Sequence, residues 1–335
     1  MRPINLLAFL CLTVTVCGQA LAAGCPGKPN TLGVSRVLQI DTNGGPLYGR
    51  LQYKEKDPLA DKEVVLTFDD GPLRRNTRKV LAALAAHCTK ATFFMVGQMA
   101  VSDPAMVREV AAAGHTIGGH TWSHQNLKRY SGQRAAGEIE LGVSAVERAL
   151  GRPIAPFFRF PYLADPKSMI GYLKSRNVAM FSIDVDSYDY KSGSGDRMRR
   201  NVMRQLAGRK KGIILMHDIQ RATARGIRGL LNELKSSGYK VVHLVGKGTL
   251  KGRPEYNLHA SALLKKRRTS ARAKPLTDAK FKWASAAPQL LSSKTGTAQA
   301  GSTARRRRTA AAKNPKGTRK RPYAAKWKRS VLGLD

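Results

Sequence analysis

The chain has 335 residues, 42% of them hydrophobic, which is ordinary for a globular protein and enough for one large α/β domain with a sizeable core. Its 59 Lys and Arg outnumber its 22 Asp and Glu, and the resulting net charge of +37 implies attraction to polyanions or anionic surfaces. Beyond the N-terminal apolar run no segment is long and apolar enough to cross a bilayer as a helix.

The N-terminus reads as a signal peptide over residues 1–22. Met1-Arg2 is followed by an apolar run over about residues 6–16, too short for a spanning helix. Ala20 and Ala22 then give the small-x-small pattern of a cleavage site. There is no twin arginine, so general secretion is expected, with a secreted, periplasmic or cell-envelope location. Of the four cysteines, Cys11 and Cys17 would leave with the signal. Cys25 and Cys88 remain and are a candidate disulfide in an oxidising compartment; a lipidated Cys25 and a buried Cys88 thiol are the alternatives.

A leader over residues 23–62 precedes a stretch that alternates apolar runs with amphipathic segments. Strands are expected at 63–68, 91–96, 116–119, 157–160, 178–183, 212–216 and 240–244. Helical patterns lie between them at 77–87, 105–113, 135–150, 167–176, 197–206 and 226–236. Gly114, Gly151 and Gly238 stand where helices should stop. This alternation predicts an α/β fold with a parallel sheet: a distorted (β/α) barrel of about seven strands over residues 63–248. From residue 249 to 335 the composition shifts to Lys, Arg, Ala, Ser, Thr and Pro. From residue 251 onward, 23 basic residues face 3 acidic ones. Such a segment has little apolar surface to offset ordering entropy and reads as a disordered basic tail.

Five short motifs stand at the ends of predicted strands: Thr67-Phe68-Asp69-Asp70-Gly71-Pro72, His120-Thr121-Trp122-Ser123-His124, Arg159-Phe160-Pro161-Tyr162, Asp184-Val185-Asp186-Ser187-Tyr188-Asp189-Tyr190 and Leu215-Met216-His217-Asp218. His120 and His124, four residues apart, can converge on one ion. A catalytic zinc-like site needs a third ligand and an open position, and Asp70 is the candidate. Asp69, its neighbour, is a spare carboxylate for a base. Adjacent strand residues point to opposite faces, so a doublet serving one site requires the strand to end there, and Gly71-Pro72 supplies the turn.

These motifs resemble those of the polysaccharide deacetylase family, which includes chitooligosaccharide, chitin and peptidoglycan N-acetylglucosamine deacetylases and acetylxylan esterases. The resemblance covers about residues 60–245 and implies a distorted (β/α) barrel with a divalent metal, most commonly zinc, with cobalt as the other candidate. It implies Asp70, His120 and His124 as ligands, with Thr121 bracing their loop, and Asp69 as the base. Arg159 would hold Asp69. The backbone N–H of Tyr162 would serve the oxyanion, and Leu215 would line the acetyl pocket. His217 would be the acid, its pKa raised by Asp189. The chain departs from the family pattern at Tyr190, where a Trp is usual, and that leaves pocket shape and substrate choice open. Asp184 and Asp186 are left unranked, and His87, His115 and His243 are read as structural.

The implied function is removal of acetyl groups from an N-acetylated carbohydrate polymer, releasing acetate. An O-acetyl esterase and a non-catalytic carbohydrate- or polyanion-binding protein are the alternatives. The expected partners are acetylated polysaccharide or oligosaccharide and, through the tail, acidic envelope polymers or an anionic lipid surface. Export argues against nucleic acid, and nothing argues for an oligomer, so a monomer is expected.

Overall fold

Short strands, most of them buried on both faces, organise the chain. The structure, a computed structural model, describes residues 31–55, 57–191 and 193–270. The expected signal peptide, Cys25 and the part of the expected tail beyond residue 270 lie outside the described residues. In chain order the elements are β1 (Arg36–Ile40), β2 (Leu47–Tyr48), β3 (Glu63–Asp69), α1 (Arg74–Ala86), β4 (Thr92–Met95), α2 (Gly97–Ser102), α3 (Pro104–Ala112), β5 (Thr116–Gly119) and α4 (Gly132–Leu150). They continue with β6 (Phe157–Phe158), α5 (Lys167–Ser175), β7 (Ala179–Phe181), β8 (Val185–Asp186), α6 (Gly195–Arg209), β9 (Gly212–His217), α7 (Arg221–Ser236), β10 (Lys240–Gly246) and α8 (Pro254–Ser270).

All strand pairs are parallel, and the order runs β1-β10-β3-β4-β5-β6-β7-β2. β3 also pairs with β9 along Val64–Asp69, and β9 carries β8. Among the described residues β8 and β2 do not pair with each other, so the barrel is open between them. This is the expected distorted (β/α) barrel. Among the described residues its sheet has ten strands rather than about seven.

Period-two alternation sorts the strand residues into two cores. Val64, Leu66 and Phe68 of β3 pack outward with helix residues such as Val80, Leu84 and Leu230. Val65 joins Ile40, Phe94, Phe157, Phe181, Ile213 and Val242 in a cluster without any helix residue, which is the barrel interior. The same alternation turns Asp69, Arg159 and His217 inward at the C-terminal ends of β3, β6 and β9. Catalytic residues of (β/α) barrels gather at that end.

Both expected boundaries shift. The leader contributes β1 and β2 to the sheet, and Arg36 is tied to Glu63 at 2.7 Å. The segment expected to be disordered from residue 249 continues into the fold. Leu250 bridges Ile154, and residues 254–270 form α8. Tyr256, Ala260, Leu263 and Leu264, spaced as one helix face, pack on Val101, Leu141, Ala145 and Trp122. Trp122 sits inside the His120–His124 loop. A chain ending at residue 250 should therefore be less stable than one ending at residue 270 by about 3 kcal/mol, roughly 6–12 °C in Tm, as thermal denaturation of the two would measure. No helix of the described residues is long and apolar enough to cross a membrane.

Candidate active site

Asp69 and Asp70 reach one site because the strand ends between them. Asp69 closes β3 facing the interior. Asp70 is in the left-handed region at φ 76°, its N–H on the Phe94 carbonyl, and this reverses the alternation that would have sent its side chain outward. Asp70 Oδ1 lies 3.4 Å from His120 Nε2 and 3.2 Å from His124 Nε2.

The second motif is a loop pressed onto α4. Thr121 and His124 both have positive φ, at 64° and 53°. Thr121 Oγ1 accepts the His124 N–H at 3.1 Å, the bracing that the resemblance implied. The Ser123 N–H and hydroxyl both donate to the buried Glu138 carboxylate, at 2.9 Å. The loop can lie this close because α4 has Gly142 there: a Cβ would stand 2.4 Å from the Thr121 carbonyl carbon. Glu138 and Gly142 were not singled out in the sequence. An acid and a glycine four residues apart in an apolar helix were the available signal.

The chemistry of the donor set fits a divalent metal. Asp70, His120 and His124 each offer an atom within 4.8 Å of the others, and all three are buried. His120 Nδ1 is 2.7 Å from the Arg159 carbonyl; donating there leaves the Nε2 lone pair for an ion. Neither Asp70 oxygen has a well-formed hydrogen bond, which is costly for a buried carboxylate with no cation beside it. Burial alone would raise the Asp70 carboxyl, but His124 and His120 outweigh it and hold it well below the usual range. Burial lowers the His124 imidazole, with Asp70 opposing. Ionised carboxylate and neutral imidazole are the ligand forms.

Asp69 Oδ1 accepts from Arg159 Nη1 at 2.8 Å, and its Oδ2 is 3.8 Å from His120 Nε2. Arg159 is fully buried. It also donates to Thr67 Oγ1 at 2.8 Å and to the carbonyls of Phe181 and Ser182 at 3.2 and 3.1 Å. Thr67 and Asp69 are two apart on β3, so the guanidinium bridges neighbours on one strand face.

Across the cleft, His217 Nδ1 meets Asp189 Oδ1 at 2.7 Å and its N–H donates to Oδ2 at 2.7 Å. The Thr223 hydroxyl donates to the same Oδ2. Burial works against the imidazolium, but Asp189 outweighs it and His217 is pushed up to about 10. The folded-state value lies above the unfolded one, so the stability it contributes is complete below about pH 6.5 and lost as pH rises through about 10. Melting temperatures of the metal-free protein should therefore fall between about pH 7 and 10. Asp189→Asn should flatten that fall.

Asp69, His120, His124, Phe160, Tyr162, Leu163, Asp186, Tyr190, Leu215 and His217 line one cleft. Tyr162 is left-handed at φ 60°, and its ring packs edge-on against His124 at 4.6 Å. Tyr190 stands against His217, ring centres 5.6 Å apart, and its hydroxyl donates to Asp186 at 3.0 Å. The unranked aspartates separate here. Asp184 accepts the N–H groups of Arg50 and Ile213, at 2.8 and 2.7 Å, and is structural; Asp186 faces the cleft. Asp218 lies beneath the Asp70–Gly71 turn and accepts from Thr77 Oγ1 at 2.5 Å. Burial, with the Asp70 carboxylate adding to it, pushes its carboxyl up to about 7. His87, His115 and His243 lie buried away from this cleft. Cys88 is disulfide-bonded, and its candidate partner Cys25 lies outside the described residues.

Residues 56–181 match the polysaccharide deacetylase family model. A peptidoglycan-N-acetylglucosamine deacetylase of Bacillus cereus is 32% identical over 198 residues, covering 57% of this chain and 70% of that protein. The chain belongs to the polysaccharide deacetylase family. Another member, the peptidoglycan-N-acetylglucosamine deacetylase PgdA of Listeria monocytogenes, is 34% identical over 183 residues, 54% of this chain but only 38% of that relative's length. A solved family structure, a peptidoglycan deacetylase of Bdellovibrio bacteriovorus, superposes with a TM-score of 0.59 at 33% identity, covering 65% of this chain and 60% of that one.

Proposed function

We propose that this protein is an exported, metal-dependent hydrolase that removes acetyl groups from N-acetylglucosamine units of an envelope polymer, with peptidoglycan as the substrate. The observation that carries the reading is the joint geometry of one cleft. The Asp70–His120–His124 donor set stands beside Asp69, which is held by Arg159, and His217 on Asp189 lines the same cleft.

Zinc or cobalt bound by Asp70, His120 and His124 would polarise the acetyl carbonyl and lower the pKa of water. Asp69 takes the proton of the attacking water as its oxygen bonds to the carbonyl carbon. The backbone N–H of Tyr162 donates to the oxyanion that develops, an interaction worth about 2.7–4 kcal/mol in well-studied enzymes. His217, whose Nδ1 side is committed to Asp189, gives its Nε2 proton to the leaving nitrogen as the C–N bond breaks. Acetate and a free amine result. Leu215 and Tyr190 bound the space for the acetyl methyl.

An O-acetyl esterase is the second reading, favoured by one observation. Tyr190, where the family usually has Trp, is fixed to Asp186 and shapes the wall of the cleft. Export and a tail that holds the protein on anionic envelope polymers complete the proposal; both rest on residues outside the described range.

The test is acetate release by residues 24–270 from N-acetylglucosamine oligomers, peptidoglycan and O-acetylated xylan, with zinc and cobalt added separately. Metal-dependent release from the amides is expected. Release from xylan alone would replace the proposal with the esterase. No release from any substrate by folded, metal-loaded protein would favour a binding protein.

A further inference from the structure

Asp186 is a carboxylate in the cleft to which the acetyl chemistry gives no task. Strand register fixes its depth. Leu215 of β9 lies opposite Thr67 of β3 on one side and Asp186 of β8 on the other, while His217 lies opposite Asp69. Residues in register on neighbouring strands share a sheet face, so the cleft has two levels. Asp69 and His217 form the one at the rim. Leu215 and Asp186 form the other, two residues or about 6.6 Å deeper. All four line the cleft.

A base and an acid at the rim level must meet the carbonyl carbon and the nitrogen of the amide. The nitrogen carries the sugar, and a polymer is too large to lie below. The acyl substituent therefore points down toward Leu215 and Asp186. One C–C and one C–O bond followed by a hydrogen bond reach about 5 Å, most of the step between the levels. The cleft offers about 60 Å³ of free space, against about 10–15 Å³ for one water-sized group.

Asp186 is held as a fixed acceptor at this depth. Its Oδ1 accepts the Tyr188 N–H at 2.8 Å, and its Oδ2 the Tyr190 hydroxyl at 3.0 Å. Gln205 of α6 clamps its backbone, accepting the N–H at 3.1 Å and donating to the carbonyl at 2.7 Å. A carboxylate has about four acceptor positions, so these two bonds leave it able to take another donor. Acetyl brings a methyl there, which offers the carboxylate nothing in place of water. An acidic acyl group would be repelled by Asp186, and a cationic one by the His217 imidazolium. A hydroxyl on the second acyl carbon is neutral and donates.

We propose that the cleft also hydrolyses N-hydroxyacetyl (glycolyl) amides of amino sugars, with Asp186 accepting the acyl hydroxyl. The proposal rests on the deacetylase reading and uses the same groups. The oxygen of water bonds to the acyl carbon as Asp69 takes its proton. The C–N bond breaks as His217 protonates the nitrogen, and glycolate and a free amine leave.

The test gives the zinc-loaded full chain an equimolar mixture of N-acetylglucosamine and N-glycolylglucosamine hexamers and measures acetate and glycolate released together. Competition in one sample reads the ratio of the two kcat/KM values, whatever fraction of the protein is folded. Wild type should release glycolate at least as fast as acetate. Asp186→Ala should lower the glycolate-to-acetate ratio about tenfold or more, because the acyl hydroxyl then enters without its acceptor. Asp186→Asn keeps the size and a neutral acceptor, and should lower the ratio only a few-fold. The difference in reactivity between the two amides is common to all three proteins and cancels. A wild type that favours acetate by about tenfold, or one ratio shared by all three proteins, would overturn the proposal. Release of neither acid by folded, zinc-loaded wild type means that the deacetylase reading fails. Calorimetric Kd values for the two hexamers then decide the acyl site: a glycolyl preference lost in Asp186→Ala supports it, and equal affinities remove it.

Discussion

Asp69→Asn is expected to lower acetate release by about 10²–10⁴-fold while changing metal affinity only a few-fold. The amide keeps the size of the carboxylate but cannot take a proton from water. It also leaves Arg159 without an ionic partner, and removing one member of a buried pair costs about 3–5 kcal/mol when the survivor is stranded. Arg159 is not stranded, because Thr67 and the carbonyls of Phe181 and Ser182 still accept from it. The loss of stability should therefore fall below that range, and the variant should remain folded. Steady-state acetate release, a melting curve and a zinc titration on the same sample check the three parts. A variant that turns over within a few-fold of the parent would remove Asp69 as the base.

Asp70→Asn should have the second large effect, on metal binding. Its carboxylate is the anionic member of the triad, and both its oxygens are buried without well-formed hydrogen bonds. Replacing it should weaken zinc binding by about 10²-fold or more, since even outer-shell changes cost 10–100-fold. Zinc at about a hundred times the wild-type Kd stabilises the parent by about 2.7 kcal/mol, roughly 5–11 °C in Tm. The variant at the same zinc concentration should show little of that rise. An undiminished rise would place the metal elsewhere and end the assignment of Asp70, His120 and His124.

Much of this site was legible because its residues end strands that are buried on both faces. Runs such as Ile213-Ile214-Leu215-Met216 before His217 read as strands without knowledge of their neighbours. What was not legible was local backbone geometry. Nothing in the residue types says that Asp70, Thr121, His124 and Tyr162 adopt positive φ, yet Asp70 meets the histidines only through that reversal. The unranked pair Asp184 and Asp186 shows the same limit: their separation into a structural and a cleft residue depends on Arg50, Ile213 and Tyr190, which lie at other points of the chain or around a turn.

The ends of the domain were misread for a different reason. β1 and β2 are short, and β1 is partly exposed, so neither shows a strong run. In α8 the apolar face of Tyr256, Ala260, Leu263 and Leu264 was present at helical spacing. Over 249–335 as a whole that face is diluted by Lys and Arg.

The sequence by itself determined the alternation of strands and helices, the five motifs and the residue types that can hold a metal and move protons. Those follow from local periodicity and side-chain chemistry, which need no partners. Only the tertiary structure decided the positive-φ reversal that brings Asp70 to the histidines, that Arg159 binds Thr67 along with Asp69, and that α8 packs against the His120–His124 loop. Each of these depends on contacts between segments distant in sequence, set by how the barrel closes and by which backbone turns the packing can hold.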